Sequence, residues 1–319
     1  MTERATLVAA ASATIAQGSQ SFAAASKLFA PTTRERAWLL YTWCRAADDL
    51  TDGQELGHGA ATPFRRDRGD PLATQAMLEA LTAAALDSRD VVPLPFAALR
   101  QVAGELAMPR RFIADHLAGF ALDAADWRPE GETDLLRYCY HVAGSVGCMM
   151  AVVMGVSAQD EDTLDRACDL GLAFQLANIA RDIVPDAVAG RCYLPRQWLD
   201  AENLAEAALT DPRHRAAVAR LAARLVELSR PYRLSARVGA ARLPFRSRLA
   251  VLAADGIYGA IGDQVLARGA HAWDQRVRIG KAGKFALLSQ AALRSLGRPA
   301  AAPRDGLWTR QRQACQRPA

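Results

Sequence analysis

The 319-residue sequence predicts a single all-α domain, and three observations support this prediction. Apolar residues recur at the i, i+3, i+4 spacing of a helix in nearly every stretch between helix breakers. The interiors of these stretches are rich in Ala, Leu, Arg and Glu, which favour helices. Strand-like alternation is almost absent, since its best candidate, Val91–Phe96, is interrupted by two prolines.

Seven stretches are predicted to be helices, and several begin at residues that favour a helix start. The stretches are Thr32–Asp52, Pro71–Asp87, Pro109–Asp126, Thr133–Val156, Asp160–Val184, Asp211–Val238 and Pro244–Gly269. Asp211, for example, precedes a proline in a first turn, where a missing N–H is tolerated. The predicted loops are Gly53–Asp70, Arg128–Glu132, Pro185–Arg196 and Ala240–Leu243. We expect the first loop to act as a flap, because it is long and has no periodicity.

The positive charge is concentrated at the C-terminus. The formal net charge is +5, and the stretch from Gly297 to Ala319 carries five arginines against one acid. We therefore predict a folded domain over 1–296 and a basic, disordered tail over 297–319. Nucleic-acid binding usually requires a basic stripe on the folded body, so no nucleic-acid partner is expected. A basic tail can instead contact anionic lipid.

The cysteines and the hydropathy favour a cytoplasmic protein. The six cysteines form no CxxC pair and no Cys/His cluster, which argues against zinc. The N-terminus lacks the apolar core of a signal peptide. The longest apolar run, Val146–Val156, is far shorter than the roughly 20 residues that span a bilayer. We expect a cytoplasmic location without a transmembrane anchor. A peripheral position on the inner face of the membrane is compatible with this expectation.

Two acidic stripes on two predicted helices are the most informative features. Each stripe places four polar side chains three or four residues apart, and therefore on one helix face. The first stripe consists of Tyr41, Arg45, Asp48 and Asp52. The second consists of Gln175, Asn178, Asp182 and Asp186. Both lie in helices whose other faces are apolar.

Stacked carboxylates of this kind favour a bound cation. Two carboxylates about 6 Å apart repel by about 3 kcal/mol at an effective dielectric near 20. Mg²⁺ takes oxygen ligands, keeps several waters and completes its shell with substrate phosphate. One such stripe is usually a solvated face, but two stripes beside arginines predict a Mg²⁺–diphosphate site. The common dinucleotide, P-loop, zinc-protease and serine-hydrolase motifs are absent. The isolated histidines, such as His116 and His141, are expected to be satisfied or exposed and not to be ligands.

Five segments carry a resemblance to a known family. They are Asp48–Asp52, Tyr138–Gly147, Leu164–Asn178, Asn178–Asp186 and Gly190–Pro195. Through them, from about Ser19 to about Arg276, the chain resembles the squalene/phytoene synthase family, and its bacterial members most closely. The resemblance implies an isoprenoid-synthase-type helical bundle around a central cavity. It also implies a prenyltransferase of carotenoid biosynthesis that joins two geranylgeranyl diphosphates head to head (1'-1). The reaction passes through a cyclopropyl diphosphate and gives phytoene and two diphosphates.

The same resemblance implies roles for individual residues. The implied metal ligands, for Mg²⁺ with Mn²⁺ as a substitute, are Asp48, Asp52, Asn178, Asp182 and Asp186. The implied substrate-binding residues are Ser19, Ser21, Tyr41, Arg45, Gln175, Arg181, Arg191, Tyr258 and Arg276. The implied catalytic residues are Tyr41, Tyr138 and the four aspartates of the two stripes. A tyrosine ring beside a dry pocket suits a carbocation. No NADPH requirement is expected.

Two departures from the family pattern stand out. Gln20 occupies a position between two serines that is commonly basic in the family, so one phosphate contact is expected to be missing. Pro185 lies inside the second acidic stripe, where it removes a backbone donor and crowds the carbonyl of Arg181. We expect the helix to kink or end at Pro185, which makes the reach of Asp186 less secure.

Three alternatives remain open at this point. The first stripe also reads as DDxxD, shared by chain-elongating prenyltransferases and terpene cyclases, but the second stripe matches neither. A C30 dehydrosqualene or squalene-type synthase would use farnesyl diphosphate, and overall similarity favours the C20 substrate. A helical assembly protein could keep the fold without activity, which the intact acidic stripes argue against. Peripheral membrane contact and downstream carotenoid enzymes are the partners expected beside the substrate.

Overall fold

The computed structural model describes residues 3–18, 23, 25–52, 70–297 and 299–312. The side chain of Asp52 is not part of this description, and neither are Ser19 and Ser21. Most of the predicted flap, 53–69, also lies outside the described residues.

The described residues form helices and contain no strand, which confirms the predicted all-α class. The α-helices are α1 (Glu3–Gly18), α2 (Pro31–Asp52), α3 (Pro71–Asp87), α4 (Leu94–Leu106), α5 (Arg110–Ala124), α6 (Glu132–Cys139), α7 (Ser145–Val153), α8 (Glu161–Val188), α9 (Arg196–Ala201), α10 (Arg215–Ala240), α11 (Phe245–Arg268) and α12 (Lys281–Leu296). A π-helical turn, Tyr140–Gly144, joins α6 to α7. Short 3₁₀ turns lie at Glu206–Thr210, Pro212–His214 and Gly269–His271.

One predicted boundary is wrong, and one weak strand candidate is helical, because proline acts differently at different helix positions. The two prolines that weakened the strand candidate at Val91–Phe96 lie at the start of α4, where the first turn tolerates a missing N–H. Helix α8 also continues through Pro185 to Val188, so the loop expected from Pro185 begins later. The Pro185 carbonyl accepts a hydrogen bond from the Ala189 amide at 3.1 Å, and the last turn of α8 extends beyond the proline.

Helix α8 is the central element of the bundle, and it packs along α10, α7 and α11. Glycines permit the closest of these approaches. A Cβ added at Gly147 of α7 would lie 2.4 Å from the carbonyl oxygen of Ala167, and one at Gly171 of α8 would lie 2.4 Å from that of Ala143. Any side chain at these two positions would therefore force α7 and α8 apart.

Among the described residues, one stretch is long and apolar enough to cross a membrane. It covers Phe245–His271 and so contains α11, and half of its most apolar window is buried inside the protein. A core helix of a helical bundle has the same composition.

The segment 299–312 packs against α8, which differs from the disordered tail that its composition predicts. Arg304 donates to Asp169 through both Nε (2.7 Å) and Nη2 (2.8 Å). Arg310 is only 2% exposed, and its Nε lies 3.0 Å from Oδ1 of Asp165. Both aspartates are fully buried, and a buried carboxylate needs a cation partner. Composition cannot reveal this pairing, because it does not show that these two acids of α8 face inward. The domain boundary at 297 stays a prediction.

Removing this contact should destabilise the fold. We expect Arg304→Ala to lower the free energy of unfolding by about 3–5 kcal/mol, because the Ser235 hydroxyl would then be the one hydrogen-bond partner of Asp169 among the described residues. Denaturant unfolding followed by circular dichroism would measure the loss. Arg213→Ala is the matched control, since Arg213 pairs with Asp211 on the exposed surface and its loss should not be measurable. Equal stability of the two variants would contradict this account.

Candidate functional site

Two adjoining cavities lie between the helices. The polar cavity has a volume of about 340 Å³ and is lined by residues that include Tyr138, Arg181, Asp182, Asp186 and Arg191. The apolar cavity has a volume of about 410 Å³ and is lined mostly by aliphatic and small residues of α7, α8, α10 and α11. The described residues that line both cavities are Asp48, His116, Val142, Gln175 and Asn178. We call this shared wall the junction.

The first acidic stripe brings Asp48 to the junction and leaves its other described members outside the two cavity walls. Arg45 donates from Nε to the Tyr41 hydroxyl at 3.3 Å. Its Nη1 lies 3.8 Å from Asp48 and 3.9 Å from Asp49. Arg45 thus links Tyr41 to the two aspartates near the end of α2. The substrate contacts implied for Tyr41 and Arg45 stay predictions.

The second acidic stripe lies along one face of α8, as predicted. Gln175 and Asn178 line the junction, and Asp182 and Asp186 line the polar cavity. Because α8 continues through Pro185, Asp186 keeps the helical position of the stripe, and the expected end of the helix at Pro185 is wrong. The metal-ligand role of Asp186 stays a prediction.

Asp182 is held by two arginines. Arg181 donates to it from the neighbouring position, and Arg276 donates from Nε to Oδ1 at 3.2 Å and from Nη2 to Oδ2 at 3.0 Å. Burial alone would raise the pKa of Asp182, but the hydrogen bonds from Arg181 and Arg276 outweigh it and lower the pKa below its usual value. This places Arg276, which is distant in sequence, at the polar cavity.

The pKa of Asp186 is shifted in the opposite direction. Burial first, and then the negative charge of Asp182, raise its pKa to about 7. The charges of Arg191, Arg181 and Arg276 oppose this rise without cancelling it. The polar cavity therefore contains a carboxylate whose negative charge the protein does not fully compensate.

The donor set fits a hard divalent cation. All four described candidate ligands, Asp48, Asn178, Asp182 and Asp186, offer oxygen atoms to the polar cavity. Among the described residues, however, no three His, Cys, Asp or Glu side chains group closely enough to form a metal site by themselves. Mg²⁺ commonly uses few protein ligands and completes its shell with water and substrate phosphate. The residues therefore suit an ion that arrives with a diphosphate, and the uncompensated charge at Asp186 would favour it.

Tyr138 lies on the wall of the polar cavity in a stack of three rings. Its ring is 5.8 Å from that of Trp127 and 4.8 Å from that of Tyr193, and both pairs are nearly parallel. Its hydroxyl donates to Asp123 at 3.1 Å, and the Tyr193 hydroxyl donates to the same carboxylate at 3.3 Å. Burial, followed by the charge of Asp123, raises the pKa of Tyr138 well above its usual value, so the phenol stays protonated.

Tyr258 lies on the wall of the apolar cavity. Its ring stacks on Phe174 with 3.9 Å between the centroids. Burial raises the pKa of Tyr258, and the charge of Arg181 and a hydrogen bond with Asn178 partly offset this. The hydroxyl therefore lies near the junction, and the substrate contact implied for Tyr258 stays a prediction.

The sequence analysis missed a row of α5 residues at the polar cavity. His116, Phe120 and Asp123 all line it. They are spaced i, i+4, i+7 and therefore occupy one helix face. An aspartate on an otherwise apolar face was the available signal for Asp123. For His116, the signal was a histidine on that same face.

The remaining site predictions rest on residues whose side chains are not described. Ser19, Ser21 and Gln20 lie outside the described residues, as does the side chain of Asp52. Their implied contacts with diphosphate and metal stay predictions.

Comparison with known proteins agrees with this geometry. A sequence profile of squalene/phytoene synthases matches residues 15–282. A 15-cis-phytoene synthase of Enterobacter agglomerans is 48% identical over 296 residues, which cover 92% of this chain and 98% of that protein. Another, from Paracoccus sp., is 46% identical over 313 residues, which cover 97% and 99%.

Solved structures show the same fold. A crystal structure of a dehydrosqualene synthase in complex with ligand superposes with a TM-score of 0.78 at 24% identity, covering 91% of this chain and 96% of that one. A squalene synthase from Alicyclobacillus acidocaldarius gives a TM-score of 0.72 at 20% identity, covering 84% and 96%. These matches confirm the predicted isoprenoid-synthase-type bundle. The profile match and the two relatives establish that the chain belongs to the squalene/phytoene synthase family.

Proposed function

We propose that this prenyltransferase joins two geranylgeranyl diphosphates head to head to form phytoene and two diphosphates. The observation that carries the proposal is the junction, where Asp48, Gln175 and Asn178 belong to the walls of both cavities. A prenyl diphosphate is a charged head on an apolar chain, and the two adjoining cavities match these two parts. The relatives named 15-cis-phytoene synthase support the C20 substrate. A C30 product from farnesyl diphosphate is the alternative.

The polar cavity suits a leaving diphosphate. Breaking the allylic C–O bond leaves negative charge on the diphosphate, and positive groups that are already in place stabilise it. Arg181 and Arg191 line the cavity, and Arg276 contacts Asp182 from its edge. Mg²⁺, bound through the oxygen ligands of the two stripes, would neutralise further charge on the leaving group.

The rings beside the polar cavity suit the allylic cation. Tyr138 is the middle ring of the stack, and its protonated hydroxyl donates to Asp123. Tyr193 also lines this cavity, and the outer face of such a stack attracts a cation, by about 2 kcal/mol when water is excluded. The apolar cavity excludes water from the hydrocarbon chain, which protects the cation from premature capture.

Location and partners are part of the same proposal. A cytoplasmic enzyme with peripheral membrane contact suits a substrate with a charged head and an apolar chain, and a product that is a hydrocarbon. Exposed apolar residues of α12 support the contact: Phe285 is 72% exposed, Leu293 72% and Leu296 77%, and Lys281 lies on the same helix. Downstream carotenoid enzymes would then collect the product at the membrane.

The number of diphosphates released tests the reaction. With geranylgeranyl diphosphate and Mg²⁺ we expect two diphosphates for each C40 hydrocarbon, because two ionisations are needed. Enzymatic diphosphate assay and mass spectrometry of the extracted lipid measure both quantities. We expect NADPH to change neither mass nor rate. A C20 product, a product that still carries diphosphate, or an NADPH-dependent mass would contradict the proposal.

Replacing Asp186 should separate activity from stability. In the folded protein its carboxyl has a pKa of about 7, compared with about 4 in an unfolded chain, so it destabilises the fold increasingly as the pH rises from 4 through 7. Asp186→Asn should therefore stabilise metal-free protein by up to about 4 kcal/mol at pH 8 and hardly at all at pH 4. Turnover should fall at least about 100-fold.

Thermal unfolding at the two pH values and steady-state turnover measure these effects. Asp200→Asn is the matched control, because Asp200 is exposed and should alter neither property. A stability gain of Asp186→Asn that is independent of pH, or full activity of this variant, would contradict the electrostatic account of the polar cavity.

Substitutions at Tyr138 distinguish its ring from its hydroxyl. Tyr138→Leu should lower kcat by about 30-fold, because it removes the middle ring that supports the outer face of the stack, and this face is worth about 2 kcal/mol to a cation. Tyr138→Phe keeps the stack with Tyr193 and should lose less than tenfold. Single-turnover kinetics would measure both. If Tyr138→Phe lost as much as Tyr138→Leu, the hydroxyl and not the ring would be the functional group.

A further inference from the structure

The apolar cavity runs along one face of α8. The α8 residues that line it recur every three or four positions, from Thr163 in the first turn of the helix to Asn178 at the junction. This stretch of α8 is about 22 Å long, because the helix rises about 1.5 Å per residue. The cavity wall can therefore be compared with the length of a prenyl chain.

Prenyl chains of different length would end at different turns of α8. The carbon that bears the diphosphate belongs at the junction, where the charged head meets the apolar chain. An extended chain advances about 1.2 Å per bond, since the three backbone bonds of a residue span at most about 3.6 Å. A C20 chain with 15 main-chain bonds is thus about 18 Å long, a C15 chain with 11 bonds about 13 Å, and a C25 chain with 19 bonds about 23 Å.

The C20 chain ends at a charged residue. Measured along α8 from Asn178, a C20 chain reaches the level of Arg166, and a C15 chain ends near Leu170, about one turn earlier. A C25 chain would extend past Thr163, where the lining face of α8 ends. Arg166 is thus placed at the point that separates a C20 chain from a longer one.

The stem of Arg166 lies between α8 and α10 at this deep end of the cavity. A Cβ added at Gly239 of α10, which also lines the cavity, would lie 2.7 Å from Cβ of Arg166 and 3.5 Å from its Cδ. The Arg166 side chain keeps 11% of its surface accessible, and the residue belongs to the cavity wall. The end of a hydrocarbon chain can therefore contact it.

Hydrogen bonds hold the guanidinium group of Arg166 in place. Nε donates to Asp162 at 3.1 Å, and Nη1 donates to the Ser235 hydroxyl at 3.2 Å and to the backbone carbonyl of Ala302 at 3.0 Å. These acceptors belong to α8, to α10 and to the C-terminal segment 299–312. A longer chain would have to displace a charged group from all three, which is harder than displacing an aliphatic side chain.

We propose that Arg166 is the floor of the apolar cavity and limits the hydrocarbon chain of the substrate to C20, an inference that rests on the proposed function. A C20 chain fills the cavity down to Arg166. A C15 chain leaves the space between Leu170 and Arg166 unfilled and buries less apolar surface. A C25 chain must move the guanidinium group from its acceptors. Arg166 is thus a specificity-determining residue.

The preference among diphosphates of different chain length tests this role. Farnesyl, geranylgeranyl and geranylfarnesyl diphosphates (C15, C20 and C25) are each assayed with Mg²⁺ for kcat/KM, and the hydrocarbons are identified by mass. The wild-type protein should prefer C20. Arg166→Ala removes the floor, and we expect the C25:C20 ratio of kcat/KM to rise about tenfold or more. A general loss of stability would lower both values and leave their ratio unchanged.

Arg242→Ala is the matched control. Arg242 also pairs with Asp162, at 2.5 Å, but it is not among the described residues that line either cavity. Its replacement should therefore leave the C25:C20 ratio unchanged. Asp162 is exposed and keeps one arginine partner in either variant, so neither substitution leaves a buried, unpaired charge.

Ala167→Leu should change the preference in the opposite direction. Ala167 lines the cavity next to Arg166, so a larger side chain fills the space that the last unit of a C20 chain reaches and a C15 chain does not. We expect the C15:C20 ratio of kcat/KM to rise about tenfold or more. This result would support the floor even if Arg166→Ala failed to fold. Wild-type ratios in folded Arg166→Ala or in Ala167→Leu, or an equal change in Arg242→Ala, would overturn it.

The wild-type protein, assayed in parallel, keeps the two proposals apart. If it forms no C40 hydrocarbon with release of two diphosphates, the proposed function fails. If it does, and the Arg166 and Ala167 variants keep its chain-length preference, only the role of Arg166 fails. A wild-type preference for C25 over C20 would also overturn the floor alone.

Discussion

The structure depends on keeping negative charge next to an apolar cavity. Asp182 and Asp186 lie on the most central helix, where burial makes each charge costly. Arg181 and Arg276 compensate Asp182, and the charge of Asp186 is left largely uncompensated. That residual charge suits a divalent ion that enters with a diphosphate. The same constraint explains why cationic side chains from separate parts of the chain gather at one end of α8.

At the other end of α8, buried carboxylates again need arginine partners, and here the pairing stabilises the fold. Asp165 and Asp169 are fully buried, and the C-terminal segment supplies Arg304 and Arg310 to them. One helix therefore carries two acidic regions with different tasks. At the first, arginines of the C-terminal segment pair with both carboxylates, and the result is a fixed contact. At the second, compensation is incomplete, and the result is a cavity suited to ligand.

Close helix packing brings the two cavities together at a single wall. Gly147 and Gly171 let α7 and the π-helical turn approach α8 within a distance that no Cβ permits. Gln175 and Asn178 of α8 and His116 of α5 line both cavities. A charged head and a hydrocarbon chain can then meet at one line of residues, which is what a reaction at the bond between them requires.

The sequence by itself determined the all-α class, the two acidic stripes and the family, because helical periodicity and residue spacing are local properties. The approach of Arg276 to Asp182, the ring stack on Tyr138 and the hydrogen bond from Arg166 to Ser235 were decided only by the tertiary structure. Each joins residues from different helices, and periodicity cannot show which faces meet. The ordered segment 299–312 is a further case, since its arginines resemble a solvated tail until the buried acids of α8 are known. Continuation of α8 through Pro185 also belongs here, because the helix keeps its course past the one missing backbone donor.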